Sequence, residues 1–216
     1  ALSWDSSGRL LVGDAGHRIL RLSPNSSLDS FSEEVLAEGF SVPQGVVEDP
    51  VTKNVYFTDS TGFVYLIHPT DTLPVNTSTV SVLPIGSVAP GNEGNLVMDG
   101  VGNLYLSDFN NRIIKVEFAT RGDPSTAQWK DVVEITEASC PPNQAGRAFM
   151  PGFRGLLIPN PGAVHSEILI VTGYCEDKIG IFQAADLQSA WDNDIPITSL
   201  PAPFAENPGS GLDGIL

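Results

Sequence analysis

Short runs of alternating apolar and polar residues, separated by polar turns, recur along this chain. One such unit is Asp99-Gly-Val-Gly-Asn-Leu-Tyr-Leu-Ser-Asp108, which is followed by Arg112-Ile-Ile-Lys-Val116. Gly102-Asn103 suits a tight turn because both residue types tolerate positive φ, and the flanking apolar runs are typical of strands. The pattern therefore predicts two antiparallel strands joined by a polar turn.

The same pattern occurs in other parts of the chain, which indicates a repeat. Comparable units lie at Trp4–Leu22, Glu48–Ile67 and, in degenerate form, Glu167–Phe182. The turn aspartates Asp14, Asp59 and Asp108 are spaced by 45 and then 49 residues. Repeats of this length with several short strands each are typical of propeller blades. We therefore predict an all-β fold, a β-propeller of four-stranded blades.

The repeat divides the chain into blades at about 1–40, 41–90, 91–140 and 150–205, with the start of another at 211–216. In the fourth blade the predicted strands are Arg154–Ile158, Glu167–Val171, Lys178–Phe182 and Ile197–Leu200. Ala184–Trp191 is predicted to form a helical turn. We expect this single domain to be part of a six-bladed propeller. A four-bladed ring and completion by another chain are the alternatives.

These segments resemble NHL repeats and, more broadly, the six-bladed propellers of the NHL, SMP-30/gluconolactonase and strictosidine-synthase kind. The resemblance covers nearly the whole chain. Val55-Tyr-Phe-Thr-Asp59 also resembles the YWTD motif of the lipoprotein-receptor propellers, although it lacks the tryptophan. The resemblance implies a propeller fold and says little about chemistry.

The net charge and the lack of long apolar runs exclude two classes of partner. The 216 residues carry a net charge of −15 with only 11 basic side chains. Nucleic acid requires a basic surface, so we expect no nucleic-acid partner. No apolar run reaches the roughly 18 residues of a membrane span, so we expect no membrane insertion. No signal-peptide pattern is present, and any targeting segment is expected to be removed or to lie outside this sequence.

Four residues favour a secreted or cell-surface protein. Asn25 and Asn76 lie in glycosylation sequons, and the repeat places both in surface loops after the third strand of a blade. Cys140 and Cys175 allow one disulfide, with two free thiols as the alternative.

Signatures of common catalytic sites are missing: the sequence contains no GxSxG, HExxH, CxxC or P-loop motif. Asp14, Asp59 and Asp108 recur at one place in the repeat. We expect each carboxylate to accept backbone N–H bonds in its own turn. They are therefore predicted to be structural residues.

The loops that precede each inner strand are better candidates, because they surround the mouth of the central channel. Their polar residues are Gln44, Glu93, Asn95, Arg154 and Asp213. In the SMP-30/gluconolactonase family, similar loops supply Glu, Asn and Asp to a divalent metal. Asp213-Gly214 resembles that family's Asp-Gly motif, whereas Gln44-Gly45 stands where Asn-Gly is expected. Such oxygen ligands would suit Ca²⁺ or Mg²⁺, and Ca²⁺ is the cofactor that we consider further.

Two further motifs are local. Thr172–Ile179 resembles the Asp-Gly-Tyr-Cys segment of peptidyl-amidating lyases, which implies a catalytic role for Tyr174 and a bridged Cys175. The zinc-binding histidines of that family are not apparent here. Arg121-Gly-Asp123 has the form of an adhesion triplet, but such short matches are frequent by chance.

From these observations the leading prediction is a non-catalytic extracellular module that recognises a protein or glycan, or that self-assembles. The alternative is a calcium-assisted hydrolase or lyase with its site at the channel mouth, so the sequence leaves enzymatic activity undecided.

Overall fold

The computed structural model describes residues 1–27, 29–87, 95–107, 112–134, 153–157, 168–173, 178–198 and 205–206. In 153–157, 168–173, 178–180 and 205–206 only the backbone is described. The chain forms two compact units. One contains Ala1–Leu96 and Phe118–Ala127, and the other contains Val97–Glu117 and Gln128–Leu216.

Four antiparallel sheets follow one another along the described chain, each with its four strands in sequence order. The first sheet consists of β1 (Leu2–Trp4), β2 (Leu10–Asp14), β3 (Arg18–Pro24) and β4 (Phe31–Glu38). The second consists of β5 (Pro43–Glu48), β6 (Val55–Asp59), β7 (Val64–Ile67) and β8 (Ser81–Val82). The third consists of β9 (Leu96–Met98), β10 (Leu104–Ser107), β11 (Arg112–Phe118) and β12 (Ala127–Glu134). The fourth consists of β13 (Phe153–Leu157), β14 (Ile168–Gly173), β15 (Lys178–Gln183) and β16 (Ala205–Glu206).

In the first unit, the core lies between the first two sheets. Alternate residues of β6 and β7 belong to it, namely Val55 and Phe57, and Tyr65 and Ile67, as the period of two requires. Phe40, Phe57 and Tyr65 form its aromatic centre, with the Phe40 and Phe57 rings 4.8 Å apart and edge to face. Edge-to-face contact adds about 0.5–1.5 kcal/mol to the stabilisation that burial provides.

In the second unit, helix α1 (Ala184–Asn193) completes the core. Its buried residues Leu187, Ala190 and Trp191 follow the spacing of a helix with one apolar face. They pack against a buried cluster that includes Tyr105 and Phe182. The helix predicted at Ala184–Trp191 is therefore confirmed, and it continues to Asn193. No described helix has the length and apolar character needed to cross a membrane.

The prediction that Ile197–Leu200 is the fourth strand of the last blade was wrong. That place in the sheet is taken by β16, which pairs with β15 through Lys178–Glu206 and Ile179–Ala205. Ile197 instead forms a parallel bridge with Val133 of β12, where it donates to Val132 O and accepts from Glu134 N. A short apolar run satisfies either arrangement, so the pattern could not identify the partner.

The first unit contains the same kind of bridge. Val75 lies between the third and fourth strands of the second sheet and bridges in parallel to Ala37 of β4. Its N–H donates to Leu36 O at 2.9 Å, and its carbonyl accepts from Glu38 N at 3.0 Å. In both units, a segment that follows the third strand of one sheet is thus hydrogen-bonded to the outer strand of the preceding sheet.

Candidate functional site

Two of the predicted channel-mouth residues have described side chains, Gln44 in β5 and Asn95 just before β9. Gln44 Oε1 is buried and accepts no hydrogen bond from the described residues. Asn95 Oδ1 accepts from Leu96 N at 2.8 Å. A buried acceptor without a partner is uncommon in folded proteins, so Gln44 marks this loop as unusual.

The other predicted residues have no described side chain. Arg154 lies in β13, where only the backbone is described. The remaining predictions lie outside the described residues: Glu93, Asp213, Tyr174, Cys140, Cys175 and Asp108. Those roles and the disulfide therefore stay predictions.

The strand that carries Gln44 lies very close to the chain at Leu96. A Cβ added to Gly45 would lie 2.5 Å from Leu96 Cβ and 2.8 Å from Leu96 N. Gly45 N also donates to Thr58 Oγ1 at 3.0 Å. Glycine is required here because any side chain would overlap with backbone. The close packing fixes the position of the strand just beyond Gln44.

The loop before β5 contains a strained residue. Val42 has φ of 45° and is 44% exposed. Positive φ is a true outlier for a β-branched residue. Turns of the first and second sheets hold the loop in place. His17 Nδ1 of the first lies 2.7 Å from Phe40 O, and Ser41 N donates to Asp59 Oδ2 of the second at 3.1 Å. This outward-facing loop is therefore fixed in a costly conformation.

The two described turn aspartates that follow second strands each accept hydrogen bonds within their own turns, and Asp59 in addition accepts from Ser41 N. Asp14 accepts from Arg18 N and Nη2 at 3.1 and 2.6 Å. Asp59 Oδ1 accepts from the N–H and the hydroxyl of Thr61. Burial acts to raise the pKa of Asp14, but the bonds from Arg18 outweigh it and leave that pKa below its usual value. The structural role predicted for Asp14 and Asp59 is confirmed.

A second set of aspartates lies in the hairpin between the first and second strands of the first three sheets. Asp5, Asp49 and Asp99 each accept backbone N–H bonds through Oδ1. Asp5 and Asp49 are 5% and 1% exposed. Arg9 pairs with Asp5 at 2.6 Å. The sequence shows these aspartates nine or ten positions before Asp14, Asp59 and Asp108, but not that Asp5 and Asp49 are buried.

Arg121 provides the counter-ion for Asp49. Its Nη2 lies 2.7 Å from Asp49 Oδ1, and its Nε lies 3.0 Å from Asp49 Oδ2. Asp123 accepts from Ser125 N at 3.0 Å and caps a short 3-10 helix at Pro124–Thr126. Both charged side chains of the Arg-Gly-Asp triplet thus make contacts within the chain, which supports its interpretation as a chance match.

A polar cluster that the sequence analysis did not identify lies around Lys115 in the second unit. Lys115 is paired with Tyr105 across β10 and β11, and its side chain is 1% exposed. Its Nζ donates to Glu117 Oε1 and, at 2.7 Å, to Gln188 Oε1 of α1. The same Nζ lies 5.4 Å from the centre of the Trp191 ring, within cation–π range.

A cavity of about 410 Å³ lies beside this cluster. Its polar lining consists of Asp99, Asn103, Tyr105, Lys115, Gln183 and Gln188. Burial raises the pKa of Tyr105, and the nearby Asp99 carboxylate raises it further. The Tyr105 phenol therefore stays protonated and keeps its hydroxyl as a donor.

Comparisons with known proteins by sequence find no matching family model and no matching curated protein. Solved structures do match. The β-propeller domain of Cps50 (Swd1) from Myceliophteria thermophila aligns with a TM-score of 0.58 at 9% identity, covering 95% of this chain and 58% of that one. The WD40 β-propeller domain of Doa1 aligns with a TM-score of 0.52 at 9% identity, covering 95% and 52%.

The fold is a β-propeller. The predicted fold class is confirmed, because the four-stranded antiparallel sheets agree with the blades of both structures. The chain spans between half and two thirds of the length of those two chains. The number of blades in the whole protein and the finer assignment to NHL repeats stay predictions.

Proposed function

We propose that this propeller is a non-catalytic recognition module of the NHL kind, on a secreted or cell-surface protein, and that it binds a protein or glycan partner. Propellers expose many loops on a rigid scaffold, and such loops often carry binding sites. The observation that carries the proposal is the strained, exposed Val42 in the loop before β5.

A residue at an unfavourable φ costs about 1–3 kcal/mol and persists where the surrounding structure holds it in place. At Val42, contacts of His17 and Asp59 with neighbouring residues of the loop provide that hold. The side chain is 44% exposed, so it contributes little to the core. An apolar side chain held outward at this cost is typical of a recognition contact, and we assign it that role.

Replacing Val42 with glycine tests the proposal. Glycine accepts positive φ, so we expect Val42→Gly to raise the free energy of unfolding by about 1 kcal/mol while weakening partner binding. The probes are a printed glycan array and a panel of purified extracellular proteins. Val51→Gly is the matched control, because Val51 is 67% exposed in the hairpin between β5 and β6.

Saturable binding that Val42→Gly weakens and Val51→Gly leaves unchanged supports the proposal. Absence of saturable binding to both panels, or equal binding by the two variants, overturns it.

The calcium-assisted hydrolase or lyase remains the second candidate, favoured by the unpartnered Gln44 Oε1. The described residues contain no group of three acidic, histidine or cysteine side chains that could hold a metal. Gln44 and Asn95 offer only neutral amide oxygens, which do not by themselves fit Ca²⁺. We therefore derive no chemical step. The test is an assay for calcium-dependent lactone hydrolysis. Activity that Gln44→Ala abolishes would favour the hydrolase over the binding proposal.

Secretion predicts glycosylation, and the two sequons differ in structure. Both asparagines are exposed in segments after a third strand. Asn25 Nδ2, the atom that would carry a sugar, donates to Asp29 Oδ1 at 2.6 Å and to Ser30 Oγ at 2.8 Å. For Asn76, the amide oxygen accepts from Ser78 Oγ at 2.6 Å. The amide nitrogen of Asn25 is therefore the more strongly engaged.

We expect Asn76 to be the more heavily glycosylated position when the chain is expressed through a secretory pathway. Intact mass before and after glycosidase treatment measures this. Asn76→Gln should remove most of the sugar mass and Asn25→Gln little of it. Sugar lost mainly from Asn25→Gln contradicts the expectation, and a chain without sugar contradicts the secreted assignment.

A further inference from the structure

The cavity beside Lys115 lies between the hairpin that joins β9 to β10 and the first turns of α1. Its volume of about 410 Å³ is within the range of pockets that hold small ligands, about 300–1,000 Å³. Every residue that lines it belongs to the second unit. The cavity can therefore be considered without reference to the rest of the chain.

The lining has no surplus of positive charge, because its one ammonium group, on Lys115, is already paired with Glu117. Asp99 contributes one carboxylate and Lys115 one ammonium group, and the other polar side chains are neutral: Asn103, Tyr105, Gln183 and Gln188. An anion site needs a surplus of cationic donors, and a hard-cation site needs several oxygen ligands with negative charge. This lining offers neither. It offers both donors and acceptors without a surplus of cationic donors, which suits an uncharged ligand whose groups donate and accept.

Internal bonds hold these polar groups in place before any ligand arrives. Asp99 Oδ1 accepts from three successive backbone N–H groups, at Val101, Gly102 and Asn103, over 2.8–3.0 Å. The amide of Asn103 is fixed by its own bond to Asp99 Oδ2 at 2.9 Å. Polar groups fixed in advance lose less entropy when they bind a ligand.

We propose that this cavity binds a neutral sugar residue, such as the terminal unit of a glycan. Hydroxyl groups both donate and accept, so they match the mixed lining. Amides and carboxylates can contact them without a surplus of charge. The inference rests on the glycan part of the proposed function, and it adds a site on a different part of the chain from Val42.

The test is a titration of the isotope-labelled full chain with three probes, followed through the side-chain amide signals of Asn103, Gln183 and Gln188. The probes are methyl α-mannoside, methyl β-galactoside and N-acetylglucosamine, with N-acetylglutamate as an anionic comparison. Ala185 is exposed and lines the cavity, so Ala185→Trp should fill it while every polar residue of the lining is kept. Ser189→Trp, on the same helix but outside the cavity lining, is the matched control.

We expect saturable shifts with at least one sugar, with a dissociation constant on the order of 1 mM. Ala185→Trp should weaken binding at least about tenfold, while Ser189→Trp binds like the unmodified chain. Absence of saturation with all three sugars overturns the proposal. So does equal binding by Ala185→Trp, or binding of N-acetylglutamate alone, which would indicate an acidic peptide ligand.

The two proposals fail in different ways. If the sugars do not bind but partner binding still depends on Val42, only the sugar site is overturned. If the sugars bind here while Val42→Gly has no effect on any partner, the loop before β5 loses its assigned role and the sugar site stands.

Discussion

Replacing Arg121 with alanine is expected to lower the free energy of unfolding by about 3–5 kcal/mol. Asp49 is 1% exposed and pairs with Arg121 through two nitrogens. Without the guanidinium, the buried carboxylate retains the bonds from Val51 N and Thr52 Oγ1 that the described part of the chain provides. Urea denaturation monitored by circular dichroism measures the loss.

Arg18→Ala is the control, because it breaks an Arg–Asp pair of similar length at a more exposed site. The Arg18 and Asp14 side chains are 37% and 22% exposed. Exposed pairs contribute about 0–1 kcal/mol. Equal losses in Arg18→Ala and Arg121→Ala would show that burial of Asp49 does not determine the strength of the pair.

The pair of Asp49 and Arg121 also predicts how the stability of the fold depends on pH. Burial acts to raise the pKa of Asp49, but hydrogen bonds from Arg121, Val51 and Thr52 outweigh it and hold that pKa below its usual value. A carboxyl with a lower pKa in the folded state stabilises the fold above its unfolded pKa, about 3.9. That stabilisation is lost as the pH falls through the folded value. Arg121→Ala should therefore lose less stability than the unmodified chain between neutral and acid pH.

The second large effect is expected at Gly45. Gly45→Ala should lower the free energy of unfolding by about 1–3 kcal/mol, because the new Cβ would overlap with the Leu96 backbone and side chain. Thermal or urea unfolding provides the measurement. Since β5 would have to shift, we also expect the environment of Gln44 to change in amide spectra.

Gly16→Ala is the matched control for Gly45→Ala. A Cβ at Gly16 would meet the flexible end of the Asp14 side chain at 3.1 Å rather than backbone. Gly16→Ala should change the free energy of unfolding by no more than about 0.5 kcal/mol. A similar loss in both variants would mean that the close approach at Leu96 is not what makes Gly45 necessary.

Much of the fold could be predicted because each strand is specified locally. Leu104–Ser107 and Val55–Asp59 are short apolar runs between turn residues, and both are strands. Ile197 was misassigned because its partner, Val133, lies 64 positions earlier in the chain. An alternating run can be recognised in one sequence, but its pairing depends on contacts that are distant along the chain.

The candidate site was less predictable for the same reason. Lys115 meets Gln188 from an element 73 residues away. One signal was present, because the repeat aligns Arg18-Ile-Leu-Arg21 with Arg112-Ile-Ile-Lys115 and so places a cation at the same register twice. Arg21 lies near Asp5, at 3.4 Å, and its side chain is 14% exposed. A charged residue recurring on a buried strand indicates an internal partner, although not which one.

The parallel bridge at Val75 also protects the chain from unwanted association. An outer strand such as β4 presents unpaired backbone groups on which another molecule's strand could align. Val75 occupies the end of that edge at Leu36 and Glu38. The rest of the edge carries the exposed carboxylates Glu33 and Glu34, which disfavour stacking of like copies. Hydrogen bonds to Val75 thus occupy one end of the edge and the two carboxylates lie along the remainder, so this sheet is a poor template for aggregation.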